Sequence, residues 1–222
     1  MTSSIRRIPR NAALLSVLLL LIVFSPSVPE ALAGFLVELT FALLLLAGVY
    51  SVGPGKHRWA FWILTTVTLA ARWVQLLAEP RALRIAALVL TVVWIGYAIS
   101  ITVSHLFQRR DVTLNTIFGA IVAYLLIAVA FAILFEIILL GDPGAFSGIP
   151  EGVLGQRSKL GDAMIYFSLV CLTTMGFGDI VPVSSIARPL AVLEGVFGQL
   201  YLAVMIARLV GLHIVSEGRE DG

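Results

Sequence analysis

Apolar runs of about twenty residues recur along the whole chain, and no other feature narrows its fold as much. They cover residues 11–28, 31–51, 60–78, 83–105, 114–140 and 187–214. Each is long enough, at about 1.5 Å per residue, to cross roughly 30 Å of hydrocarbon. A peptide group finds no water there, so backbone polar groups must be satisfied inside helices, and the expected fold is an all-α membrane bundle of six crossings. Composition agrees: 59% of the 222 residues are hydrophobic and 13% charged, and the mean hydropathy is +1.02. A soluble domain of this length does not carry such values. The short alternating segments that mark a transmembrane β-barrel are missing. Breakers separate the runs: Pro26 and Pro29, Gly53-Pro54-Gly55, Pro80, and Gly141-Asp142-Pro143-Gly144.

Basic residues orient the bundle, because loops rich in Lys and Arg stay in the cytoplasm. With the N-terminus inside, Arg6, Arg7, Arg10, Lys56, Arg58, Arg109, Arg110, Arg208 and Arg219 are cytoplasmic. Arg81, Arg84, Arg157, Lys159 and Arg188 are outside, and Arg72 falls within a crossing. Both termini are then expected in the cytoplasm, with residues 215–222 as a short tail and the plasma (inner) membrane as the location. A second reading of the start stays open. Its basic residues, its apolar core and Ala31-Leu32-Ala33 before Gly34 also fit a cleaved secretory signal over residues 1–33. Gly34 begins outside either way. The net charge of +2 gives no reason to expect nucleic acid. Clustered Ser/His/Asp and metal-ligand spacings are both missing, so neither an enzyme nor a cofactor is expected. One cysteine, Cys171, cannot form an intrachain disulfide.

The segment DAMIYFSLVCLTTMGFGDIVP, residues 162–182, is too short and too interrupted to cross the bilayer, and it lies between two strong spans. It is expected to enter and return. Asp162 reads as an N-cap, and residues 163–173 as a helix apolar nearly all round, hence buried in protein. Gly176 and Gly178 then free the backbone from ordinary conformations. Non-helical backbone at membrane depth is tolerated only where protein buries it or where it lines an aqueous path.

Thr174-Met175-Gly176-Phe177-Gly178-Asp179 resembles the filter of the potassium-channel pore family, which reads TxGYGD or TxGFGD after a short pore helix and before a proline. The resemblance covers residues 114–214. It divides the chain into a four-helix N-terminal membrane domain (1–111), a pore domain (112–214) and the tail. It implies that the carbonyls of Thr174, Met175, Gly176 and Phe177, with the Thr174 hydroxyl, replace the hydration shell of a permeant potassium ion. One such loop per chain implies a homotetramer in membrane lipid. Two residues depart from the commonest filter: Met175 replaces valine and Phe177 replaces tyrosine. Without the tyrosine hydroxyl, the filter is expected to be held more by packing than by bonding.

Aligned from the filter, Val170 stands where one branch of bacterial channels has a buried glutamate. Tyr166, Phe167 and Thr173 take the place of pore-helix support. Tyr166 lies near the family's tryptophan that bonds the filter aspartate; an interfacial anchor is the other reading. Gly198 maps to the hinge of the inner helix, with close helix packing, shared with Gly195, as the alternative. Gln199 maps to a cavity-facing position. Glu194, an acid within an apolar span, either raises cation concentration in the cavity or bonds behind the filter to the pore helix.

Voltage sensing needs arginine at every third position of a helix, whereas Arg81 and Arg84 are followed in register by Ala87, Leu90 and Val93. Steep voltage gating is not expected. Glu38 and Arg72 each lie about 10 Å below the outer surface and are expected to pair. Glu136 reads as an interfacial residue, with holding the outer turret against the pore loop as the alternative. A poorly selective cation channel, and a non-conducting subunit of a transporter or receptor, remain alternatives to a potassium channel.

Overall fold

The computed structural model describes residues 10–24, 35, 38–47, 58–77, 80–108, 113–150 and 152–220. The signal-like Ala31-Leu32-Ala33 and the basic residues Arg6, Arg7, Lys56, Arg109 and Arg110 lie outside them. Among the described residues the fold is helical. In chain order the helices are α1 (Arg10–Phe24), α2 (Glu38–Ala47), α3 (Arg58–Leu77), α4 (Arg81–Gln108), α5 (Leu114–Gly141), α6 (Arg157–Leu172) and α7 (Ala187–Glu220). Among the described residues, three stretches are long and apolar enough to cross a membrane: Arg81–Gln108, Leu114–Gly141 and Ala187–Arg208.

α5 is the hub. Thr113 caps it reciprocally with Thr116, which satisfies amides that a helix start otherwise leaves orphaned. Being apolar on every side, α5 packs against α1, α4, α6 and α7, as an all-round hydrophobic helix must. One core gathers Leu14 and Leu18 of α1, Leu44 and Leu45 of α2, Phe61 of α3, Trp94 of α4 and Leu126 of α5. Two polar side chains inside it pair with each other: the Trp94 indole donates to Thr65 Oγ1 at 2.8 Å, and that hydroxyl donates to the Phe61 carbonyl at 2.7 Å.

A second core ties the pore side together. Phe135 of α5, Phe146 and Phe167 of α6 meet edge to face with centroids 5.0 to 5.6 Å apart, the arrangement ring quadrupoles favour. Phe146 belongs to a two-residue strand, β1 (Phe146–Ser147), paired antiparallel with β2 (Val181–Pro182) just after the filter-like segment. Gly148 follows at φ +84, where any Cβ would run into the Asp179 carbonyl. Glycine thus lets the loop after α5 approach the backbone at Asp179 and Ile180 closely.

Several helix boundaries differ from the sequence reading: α4 runs from 81 to 108 rather than 83 to 105, and α7 continues to Glu220, through most of the expected tail, rather than ending at 214. α6 starts at Arg157, with Gln156 at the cap position, and Asp162 sits within the helix rather than capping it. Leu160 is the reason: it is 2% exposed and belongs to the second core, so packing extends the helix past a residue whose side chain favours a start.

Candidate functional site

α6 ends in a set of bonds that deliver the chain into a different conformation. Thr173 stays right-handed at φ −83 and ψ −3, and its amide and hydroxyl both donate to the Leu169 carbonyl, at 3.0 and 2.6 Å. The Thr174 and Met175 amides donate to Cys171 and Val170, each at 3.0 Å. Beyond that point the sign of φ alternates. Thr174, Gly176 and Gly178 stand at +58, +57 and +77, while Met175 and Phe177 between them have negative φ. An extended strand points successive carbonyls to opposite sides; alternating the backbone hand turns them toward a common side. Glycine takes the positive φ freely, and no atom stands within 4 Å of a Cβ built on Gly176 or Gly178. The demand there is conformational rather than steric. Thr174 is a β-branched residue in the same region, a conformation costing about 1–3 kcal/mol that persists only where surroundings impose it.

Within one chain this segment lies open. Residues 173–179 are all exposed, Met175 and Phe177 each at 65%. Behind them, Tyr166 on α6 holds two points at once. Its hydroxyl donates to Asp179 Oδ2 at 2.7 Å, and its ring stacks on Phe177 with centroids 6.4 Å apart and planes 11° from parallel. The hydroxyl bond, made to the charged carboxylate, is the first cause holding Asp179 below its ordinary value. Gln199 on α7 donates to Thr174 Oγ1 at 3.2 Å. Phe167 faces the other way, into the second core.

The contact of α6 with α7 and α5 is close and partly polar. Gly198 sits where a Cβ would strike the Leu172 carbonyl, and Gly195 lies beside the Cys171 carbonyl. Glu194 is fully buried, and its Oε1 meets the Ser168 hydroxyl, which also lies 2.7 Å from the Ala128 carbonyl. Glu194 therefore ties α7 to the buried face of α6. The last carbonyl of α6, at Leu172, accepts from the Tyr124 hydroxyl of α5 at 3.2 Å. Tyr124 in turn packs on Tyr201, whose hydroxyl donates to the Ala120 carbonyl at 2.7 Å. Sequence reasoning missed Tyr124, Tyr201 and Ser168, because their roles come from contacts that span 40 to 81 residues.

Away from the filter-like segment, Glu38 and Arg72 meet as a buried fork-to-fork pair, with contacts of 2.6 and 3.0 Å. Gln75 donates to Glu38 at 3.1 Å, and the guanidinium lies 3.9 Å from the centroid of the Phe41 ring. Glu136 is not simply interfacial: it accepts from Arg84 of α4 at 2.6 Å.

A short helix followed by an open segment of alternating backbone hand thus lies between two long apolar helices, α5 and α7. A family model described as "Ion channel" matches residues 88–212. The chain belongs to that ion-channel family. It is similar to Protein LctB of Geobacillus stearothermophilus, with 25% identity over 122 residues, covering 55% of this chain and 90% of that protein. Protein LctB of Bacillus caldotenax is 23% identical over the same shares. No solved structure matches the chain.

Proposed function

We propose that four copies of this chain form a potassium-selective channel, in which residues 174–179 of each line one axis and conduct K⁺ passively. The observation that carries this reading is the period-two alternation of φ from Thr174 to Gly178, exposed at the end of α6. A ring of carbonyls turned to one side can stand in for the water around a dehydrated alkali cation. Gln199 fits a place below the filter, where its amide holds the Thr174 hydroxyl. Asp179 keeps a negative charge at the mouth. In this reading α6 and the filter form a re-entrant loop between the last two of six crossings in the plasma (inner) membrane, with both termini cytoplasmic. Gly198 is the hinge on which α7 bends, and gating is not steeply voltage-dependent. The ions are the only cofactor required.

Purified protein in liposomes tests this. Flux should run with potassium and be blocked by barium, and the reversal potential in mixed potassium and sodium should follow the potassium gradient. A reversal potential near zero would make the pore a non-selective cation path. No flux from an intact tetramer would make the chain a non-conducting subunit.

A further inference from the structure

Helices α2, α3, α4, α5 and α6 surround a cavity of about 50 Å³ that takes no part in the ion pathway described above. Part of its wall is apolar, from Phe41, Leu88, Val129, Ile133 and Ile165. Its polar walls carry Glu38 paired with Arg72 and Glu136 paired with Arg84, together with Asp162 and Arg157, three charges of each sign. Two polar atoms on these walls are buried with no partner, Gln75 Oε1 and Arg84 Nε. Buried polar groups are rarely left so, and each such pair asks for something that completes it.

Gln75 is 3% exposed, and its amide orientation is fixed. Its nitrogen donates to Glu38 Oε1 at 3.1 Å; turned over, its oxygen would face a carboxylate. The unpartnered Oε1 therefore needs a donor. Arg84 already donates through Nη2 to Glu136, and its Nε–H needs an acceptor. α6 begins at the same wall with no side-chain cap and no acidic residue in its first turn, so its N-terminal amides also favour an oxyanion. Arg157 of that turn donates to the Gln75 carbonyl at 3.3 Å. Burial first, and then the neighbouring Arg84 guanidinium, hold Arg157 below its ordinary value, a sign of how closely positive charge is gathered there. A lone anion would meet Glu38 and Glu136, and a lone cation would meet three arginines. The walls match a ligand carrying both charges.

We propose that this cavity binds a small zwitterion with an ammonium donor close to an oxyanion: the phosphoethanolamine group, carried by a membrane phospholipid or free in solution. The ammonium reaches Gln75 Oε1, and the phosphate oxygens accept from Arg84 Nε and the first turn of α6. The apolar walls receive the adjoining carbon chain when the source is a lipid. Such a ligand would join the N-terminal helices to the start of the pore helix.

Delipidated, intact oligomer in detergent provides the test, with binding read by native mass spectrometry and by thermal shift. The probes are dioctanoyl phosphatidylethanolamine, dioctanoyl phosphatidylcholine and free phosphoethanolamine. The ethanolamine lipid should bind at least about tenfold tighter than the choline lipid, whose trimethylated nitrogen offers Gln75 no N–H. Equal binding of free phosphoethanolamine supports the site and identifies a soluble ligand. No binding of either ethanolamine compound, or equal binding of the two lipids, leaves the cavity to water and overturns the proposal. Gln75→Met should bring the ethanolamine lipid down to the affinity of the choline lipid. If that variant does not assemble, the wild-type ratio decides alone. Since binding is read without ion flux, a failure here is separate from a failure of the channel reading.

Discussion

Tyr166 bonds Asp179 and stacks on Phe177, so one side chain acts on both the carboxylate that the proposed function puts at the pore mouth and the aromatic ring of the filter-like segment. The bond lowers the Asp179 pKa because it stabilises the charged form. A carboxyl held low contributes fully above its ordinary value, and the contribution is lost only as pH falls through the lowered one. Tyr166→Phe removes the bond, and the carboxyl returns toward its ordinary range. The mouth then loses its charge at a higher pH than in the wild type. Bilayer currents titrated with acid on the filter-mouth side should fall earlier in Tyr166→Phe; an unmoved or lowered midpoint contradicts the assignment. At Gly176, φ +57 with open space around it makes backbone hand the whole requirement. Gly176→Ala should cost about 1–2 kcal/mol in each chain and abolish potassium preference while leaving the helices formed, as circular dichroism beside flux would show. Unchanged selectivity in that variant would mean the carbonyls do not need the alternation.

Between elements, the closest approach is that of α7 to the end of α6 at Gly198, where there is no room for a methyl group. Gly198→Ala forces the helices apart or displaces Leu172, at about 1–3 kcal/mol. It should lower the thermal midpoint, and because Leu172 leads directly into the filter-like segment it should, on the proposed function, also weaken selectivity. A pure hinge would change opening alone, so the two measurements separate packing from bending. The buried pair of Glu38 and Arg72 joins α2 to α3. Glu38→Gln or Arg72→Met alone leaves an uncompensated partner at a cost of about 3–5 kcal/mol. Exchanging the two residues should restore the expression lost in Glu38→Arg and in Arg72→Glu; no rescue would count against the pair. That pair was readable in advance, because two opposite charges at one depth in apolar helices have few other outcomes. The limits of α5 and the start of α7 were readable from hydropathy and breakers; α4 runs two residues before and three past its expected ends, and α7 six past its own, because polar ends carry no hydropathy signal. The start of α6 was not: Asp162 is a good cap locally, yet Leu160 has a core to fill. Nor was the pairing of β1 with β2, since strands of two residues carry no periodic signal and depend on rings brought from α5 and α6.

At the scale of the molecule, burial is distributed unevenly among the apolar helices. The crossing window of α5 is 56% buried within the chain, and that of α7 only 17%. α7 leaves Val192, Val196, Phe197, Leu200 and Ile206 exposed, and the filter-like segment next to it is open as well. Lipid can cover an apolar helix, but it cannot serve peptide groups in non-helical backbone, which need protein or an aqueous path around them. Other copies of the chain, arranged about an axis beside α7, would supply both. The methionines offer a direct check, because thioether oxidation follows access to the reagent. In one chain Met164 is 0% exposed, Met205 6% and Met175 65%. In an assembly of four chains, established by native mass spectrometry, Met175 should be enclosed behind the filter. Limited peroxide treatment followed by peptide mapping should then oxidise it almost as slowly as Met164. After dissociation in a denaturing detergent it should become fast. If Met175 oxidises at the same rate in both states, the filter is not where the copies meet, and the chains must cover the α7 face in some other arrangement.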